Sequence, residues 1–172
     1  RLLRACFKPG TRKQILYVAA TFHETFTNFI TGQCMEAVII GLLCTLGMSL
    51  LRIPYALMTG AVVGATALIP VVGAYIGAAV GAFMVFTVNP LQALLFLVFL
   101  VVLQQLEGNL IYPKVVGSSI GLPGLWVLAA VTVGGGVMGI AGMLIGVPLA
   151  ASVYKLAGTA VAHRLGEKTI KG

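Results

Sequence analysis

Two long stretches without a single charge constrain this chain more than any other feature: none lies between Arg52 and Glu107, and none between Lys114 and Lys155. A helix needs about 20 residues to cross roughly 30 Å of hydrocarbon, so each stretch has room for two passes or a folded-back pair. Neither run alternates apolar and polar residues as an outer-membrane strand does, which leaves helices as the way to satisfy the backbone in lipid. Composition agrees, with 59% of the 172 residues hydrophobic and 9% charged, against roughly 25% charged in a soluble domain. The expected fold is all-α, a polytopic transmembrane helical bundle with Pro/Gly-broken helices or re-entrant hairpins.

The formal net charge of +7 would raise nucleic acid as a partner in a soluble protein. Here the basic residues gather at the ends, Arg1, Arg4, Lys8, Arg12 and Lys13 at one and Lys155, Arg164, Lys168 and Lys171 at the other. That is the pattern of orientation signals and lipid contacts, so the expected partner is the bilayer and no nucleic acid. By the excess of basic residues at both ends, both are expected on the cytoplasmic side. Cys6, Cys34 and Cys44 form no CxxC pair and read as small apolar residues. The chain begins with Arg, so it is expected to be the C-terminal part of a longer protein.

Three regions are expected. Residues 1–32 hold a basic N-terminal segment and an amphipathic juxtamembrane helix, with Ile15, Ala19, Phe22, Phe26 and Phe29 on one face and Gln14, Thr21, Glu24, Thr25 and Asn28 elsewhere on the wheel. Residues 33–163 form the transmembrane domain, and 164–172 a basic cytoplasmic tail. Within the membrane domain the first span runs from Gln33 to Leu51. The apolar run from Tyr55 to Val88 is interrupted at Ile69-Pro70-Val71-Val72-Gly73, Asn89-Pro90 closes it, and the run from Leu125 to Ala162 is interrupted at Gly134-Gly135-Gly136, Gly139 and Gly142 and again at Gly146-Val147-Pro148. Glycines recur at four-residue spacing, which lets helix backbones approach closely, either for packing alone or as a sliding seam.

Catalytic machinery is not visible: the sequence has no Asp, no HExxH and no GxxxxGK[ST]. His23 and His163 are isolated. An enzyme, a cofactor and a metal site are not expected. The concentrated polar site is QQLEGNLIYPK, Gln104 to Lys114, where Gln104 with Glu107 and Gln105 with Asn109 have helical spacing. Ionisable groups at membrane depth usually face an interior cavity and serve an ion, a proton or a polar solute, which makes Glu107 the leading candidate. The other reading is that Glu107 ends a helix at the water interface and Pro113 and Lys114 begin a loop. Broken helices free backbone groups, and corresponding breaks in two parts of a transporter point to its binding site.

Three segments carry a resemblance. ALIPVVGAYIG (Ala67 to Gly77), QQLEGNLIYPKVVG (Gln104 to Gly117) and GIAGMLIGVPLAA (Gly139 to Ala151) are similar in order and spacing to the autoinducer-2 exporter family of bacterial membrane proteins, over about Gly32 to Leu156. The resemblance implies the C-terminal half of an inner-membrane permease or secondary transporter that moves a small polar solute or ion without ATP, such as autoinducer-2 or a cation against protons, and that forms homo-oligomers. It implies a pathway lined by Gln104, Gln105, Glu107, Asn109 and Lys114. Helix breaks at Pro70, Gly73, Pro113, Gly142 and Pro148 would line the site. After Gly121 many relatives have Leu-His-Pro where this chain has Leu122-Pro123-Gly124, so a proton-coupling histidine is missing there. The rivals in other classes are a non-transporting membrane scaffold and a lipid-handling protein.

Overall fold

The computed structural model describes the backbone of residues 9–117 and 121–169 and the side chains of residues 12–117, 121–159 and 161. The expected basic residues Arg1, Arg4, Lys8, Arg164, Lys168 and Lys171, with Cys6 and His163, fall outside the described side chains. Five helices, and no strand, make up the described residues. They are α1 (Pro9–Leu50), α2 (Ala56–Ala67), α3 (Val72–Phe86), α4 (Pro90–Leu106) and α5 (Gly124–Thr169). The chain is therefore an all-α membrane protein, and many large apolar side chains, among them Leu46, Leu57, Leu91 and Val137, point outward as lipid-facing residues do.

The helix α1 runs unbroken through Gly32 and Gln33, so the expected juxtamembrane helix and first span are one element of 42 residues. Its buried stripe is Thr21, Thr25, Phe29, Gln33, Glu36, Ile40, Cys44 and Met48, every third or fourth residue. Near the N-terminus that stripe is polar where the amphipathic reading made it apolar, and Phe22 and Phe26 are only half-buried. In lipid the apolar face gains nothing by turning inward, so polar groups that find partners pack inside instead. Thr21 and Thr25 hydroxyls donate to the carbonyls of Tyr17 and Thr21, at 2.9 and 2.8 Å. The helix ends at Arg52 in the left-handed region, where Ile53 N–H reaches back to Met48 O at 2.9 Å, a Schellman closure with Met48 and Ile53 buried together.

The run Tyr55 to Val88 folds back as a hairpin, α2 against α3, closed by packing of Gly73 on Thr66, Gly77 on Val63 and Gly81 on Thr59. A Cβ on Gly73 would collide with the carbonyl oxygen of Thr66, so only glycine permits this approach. With 12 and 15 residues, the two arms reach only roughly 18 and 22 Å, short of the hydrocarbon thickness. Neither arm is among the helices long and apolar enough to cross a membrane. Asn89 then caps α4, its Oδ1 accepting from Leu91 and Gln92 N–H at 2.9 and 3.4 Å, with Pro90 in the first turn.

The second long run also folds back, but not at Pro148. Met138 and Gly139 leave helical geometry, Gly139 at φ 60°, ψ −139°. A Cβ on Gly134 would strike Gly142, and one on Gly146 would come within 2.8 Å of Ala130 O. In a straight helix residues 130 and 146 would be about 24 Å apart at 1.5 Å per residue, so the continuous apolar length of α5 is two antiparallel arms. Pro148 sits inside the second arm, buried, and its own carbonyl accepts from Ser152 Oγ at 2.7 Å. The bend belongs to Gly139 because glycine alone takes that φ,ψ without strain, whereas a proline is compatible with helical φ.

Lys155 Nζ lies 3.3 Å from Glu24 Oε1, and Tyr17 and Thr159 hydroxyls meet at 3.3 Å. These contacts bring the far end of α5 to the N-terminal part of α1, while the α2–α3 hairpin joins at its C-terminal part. The two hairpins thus enter from opposite ends of α1.

Candidate functional site

Between the two hydrophobic clusters, one around Phe96 and Ile40 and the other around Phe29 and Val147, lies a cavity of about 750 Å³. Its polar lining comes from Gln33 and Glu36 of α1, Gln104 and Gln105 of α4, and Glu107 and Tyr112 just beyond. The tip of the first hairpin and the start of α5 complete the wall, and no Lys or Arg is among the lining residues.

Glu36 and Glu107 come from segments 71 positions apart in the sequence, yet their carboxyl groups are within hydrogen-bonding reach of each other. Tyr112 lines the same cavity as both. Glu36 is 4% exposed and Gln33 3%. The Gln33 amide donates through Nε2 to Glu36 Oε2 and to Ala67 O, both at 2.9 Å. Its other atom, Oε1, is buried and has no hydrogen-bond partner. This orientation of the amide follows from its neighbours, since both are acceptors and only the NH₂ end can meet them.

The local chain geometry follows from prolines. Ala67 is the last residue of α2, and the residue that would close a tight turn onto its carbonyl is Pro70, which has no N–H. That carbonyl is therefore available to Gln33. Beyond it, Val72 N–H bonds Pro70 O at 2.7 Å around Val71 at φ 65°, ψ −57°, the geometry of a γ-turn. After Leu106 the helix widens into π-helical turns, Glu107–Ile111 and Pro113–Gly117. Tyr112 N–H reaches Glu107 O, five residues back, so the wider turn makes room for Pro113 against the preceding carbonyls.

Of the residues singled out from the sequence, Gln104, Gln105, Glu107 and Pro70 line the cavity. Asn109 is exposed and turned back on its own helix, Nδ2 donating to Gln105 O at 2.8 Å. Lys114 and Pro113 lie on the second π turn, both exposed and not among the lining residues. Gly73 and Gly142 are buried at the close approaches of the two hairpins, and Pro148 in the second arm of α5, none of them lining the cavity. Sequence reasoning missed Gln33, which it took only as the start of the first span, and passed over Glu36 inside that span. The available signal was a lone carboxyl followed by an apolar run, which in a membrane segment marks a site.

Comparison with known proteins adds a family signature. The profile described as AI-2E family transporter matches residues 1–162. The chain is 32% identical to YueF of Bacillus subtilis over 83% of this chain and 38% of that protein. It is 34% identical to sll0063 of Synechocystis over 80% of this chain and 35% of that protein. It is also 30% identical to YrrI of Bacillus subtilis, over 74% and 36%. Their names assign these three to transport without saying what they carry. The chain thus spans less than two fifths of the length of each of these three relatives. No solved structure matches it.

Proposed function

This chain belongs to the AI-2E transporter family, and from that premise we propose that its cavity is the pathway of a secondary transporter that moves a small polar solute or ion without ATP. The observation that carries the reading is the convergence of Glu36 and Glu107 in one cavity without a lining cation. Two bare carboxylates side call for a counter-charge in so apolar a setting. A shared proton meets that need, and so does a monovalent cation or the positive group of a solute, and exchange between such occupants is coupled transport.

Oxygen ligands suit hard cations, and the cavity offers two carboxyls, the Gln104 and Gln105 amides and the Tyr112 hydroxyl. The same set can bind a hydroxyl-rich neutral solute, as an autoinducer-2-type exporter would require. In the full protein the absent part of the chain and further subunits of a homo-oligomer complete the pathway, in a bacterial inner membrane with both ends of this segment cytoplasmic.

The test is flux in proteoliposomes containing the full-length protein, across a panel of ions and small polar metabolites and a range of pH. Glu36→Gln and Glu107→Gln should each flatten the pH dependence and reduce coupled flux by tenfold or more, the order expected from about 1.4 kcal/mol or more of lost charge interaction. Wild-type pH dependence in both variants would exclude the carboxyl pair. Movement of lipid headgroups in place of soluble substrates would favour a lipid-handling protein, and no flux of either kind a scaffold.

A further inference from the structure

We infer that Gln33 is a positioning residue that ties the charge state of Glu36 to the tip of the α2–α3 hairpin. The inference rests on the carboxyl pair being the site whose charge changes during transport. One amide nitrogen donates both to Glu36 Oε2 and to Ala67 O, each at 2.9 Å, so a single side chain bridges the site on α1 and the last carbonyl before the hairpin tip. The amide oxygen beside it is buried and unpartnered.

Those two facts define a two-position switch. While Glu36 is a carboxylate, it accepts a charge-assisted hydrogen bond that holds the NH₂ end in place, and the same end holds Ala67 O. When Glu36 is protonated the bond to Gln33 loses its charge assistance even if the proton faces Glu107, and when the proton sits on Oε2 the carboxyl becomes a donor whose partner must be Gln33 Oε1. Rotation of the amide to present Oε1 places that oxygen against Ala67 O, where two acceptors repel. The hairpin tip then loses its tether, and the donor of a tight turn cannot replace it because Pro70 lacks an N–H. By linkage, holding the tip in place must favour the charged form of Glu36 to the same degree. The groups that face Glu36 from other elements, and so share its titration, are Glu107 and Tyr112.

Hydrogen–deuterium exchange on the full-length protein in lipid nanodiscs, corrected for intrinsic pH effects and followed at residues 66–73, tests this. In the wild type the tip should exchange faster as pH falls through the titration of the pair, by roughly tenfold for the loss of one hydrogen bond. Glu36→Gln should hold the tip at one level at every pH. Gln33→Met, which keeps the side-chain length and removes both hydrogen bonds, should leave the tip fast and insensitive to pH. A wild-type tip with no pH response, or a Gln33→Met tip that still follows pH, overturns the inference. If Gln33→Met does not assemble, the comparison of wild type with Glu36→Gln decides. Flux in Glu36→Gln separates the two ideas: wild-type pH dependence there removes the carboxyl pair from transport, whereas flattened flux with an unresponsive wild-type tip removes only the coupling through Gln33.

Discussion

Val71 is the residue where the backbone departs furthest from what its side chain prefers, at φ 65°, ψ −57°. A β-branched residue there carries strain of about 1–3 kcal/mol, and the position lines the cavity at the hairpin tip. Val71→Gly should therefore be tolerated, with an unfolding midpoint at or above wild type, because relief of strain offsets the entropy of glycine. Val71→Pro, whose ring fixes φ near −65°, should lower stability by more than about 1 kcal/mol. Equilibrium unfolding of the full protein in mixed micelles measures both. Asn89 is the other residue with a decisive local role. Asn89→Ala removes the acceptor for Leu91 and Gln92 N–H and should cost about 0.5–2 kcal/mol in the same assay.

Among the elements, α5 most needs its bend tested, since by length and apolarity Gly124–Thr159 passes as one straight span. Backbone contact of Gly134 with Gly142 and of Gly146 with Ala130 excludes that shape. Cysteines introduced at 130 and 146 in a cysteine-free background should join through a short bifunctional reagent. A straight helix would hold them roughly 24 Å apart and give no product. Gly139→Ala should destabilise the bend by about 1–3 kcal/mol, because its φ,ψ region belongs almost wholly to glycine. The π-helical turns that follow α4 serve the site at the same scale. By widening the helix ahead of Pro113 they carry Glu107 and Tyr112 to the cavity without ending the segment.

For the whole molecule, α1 and α4 are long apolar helices that run antiparallel, while the α2–α3 hairpin and the bent α5 meet α1 from opposite ends. Glu36 lies 16 residues before Arg52, and Glu107 lies 17 residues after Pro90, so both carboxyls stand roughly 24–25 Å from the same end of the bundle. Equal depth on two antiparallel helices is what lets them meet. Because α4 runs antiparallel to α1, with Gln92 at Arg52 and Glu107 at Glu36, the end of α4 and the N-terminal end of α1 share a side, and Arg52 stands at the other. A cysteine at 114 should accordingly react only with a reagent supplied from the cytoplasmic side, and one at 52 only from outside. Labelling of both from one side would exclude this threading.

The sequence alone was enough to determine that the chain is a helical membrane protein, that it breaks at Pro70 and restarts at Asn89-Pro90, and that polarity concentrates from Gln104 to Lys114. Each of those is local, written in hydropathy over a window or in one residue's missing N–H. Tertiary structure alone decided that Glu36 faces Glu107, that Gln33 bridges to Ala67, and that the second fold-back falls at Gly139 and not at Pro148. The reason is physical: in lipid, apolarity does not mark the inward face of a helix, so which side chains share a cavity is settled by close contact between backbones, and those contacts join residues far apart in the chain.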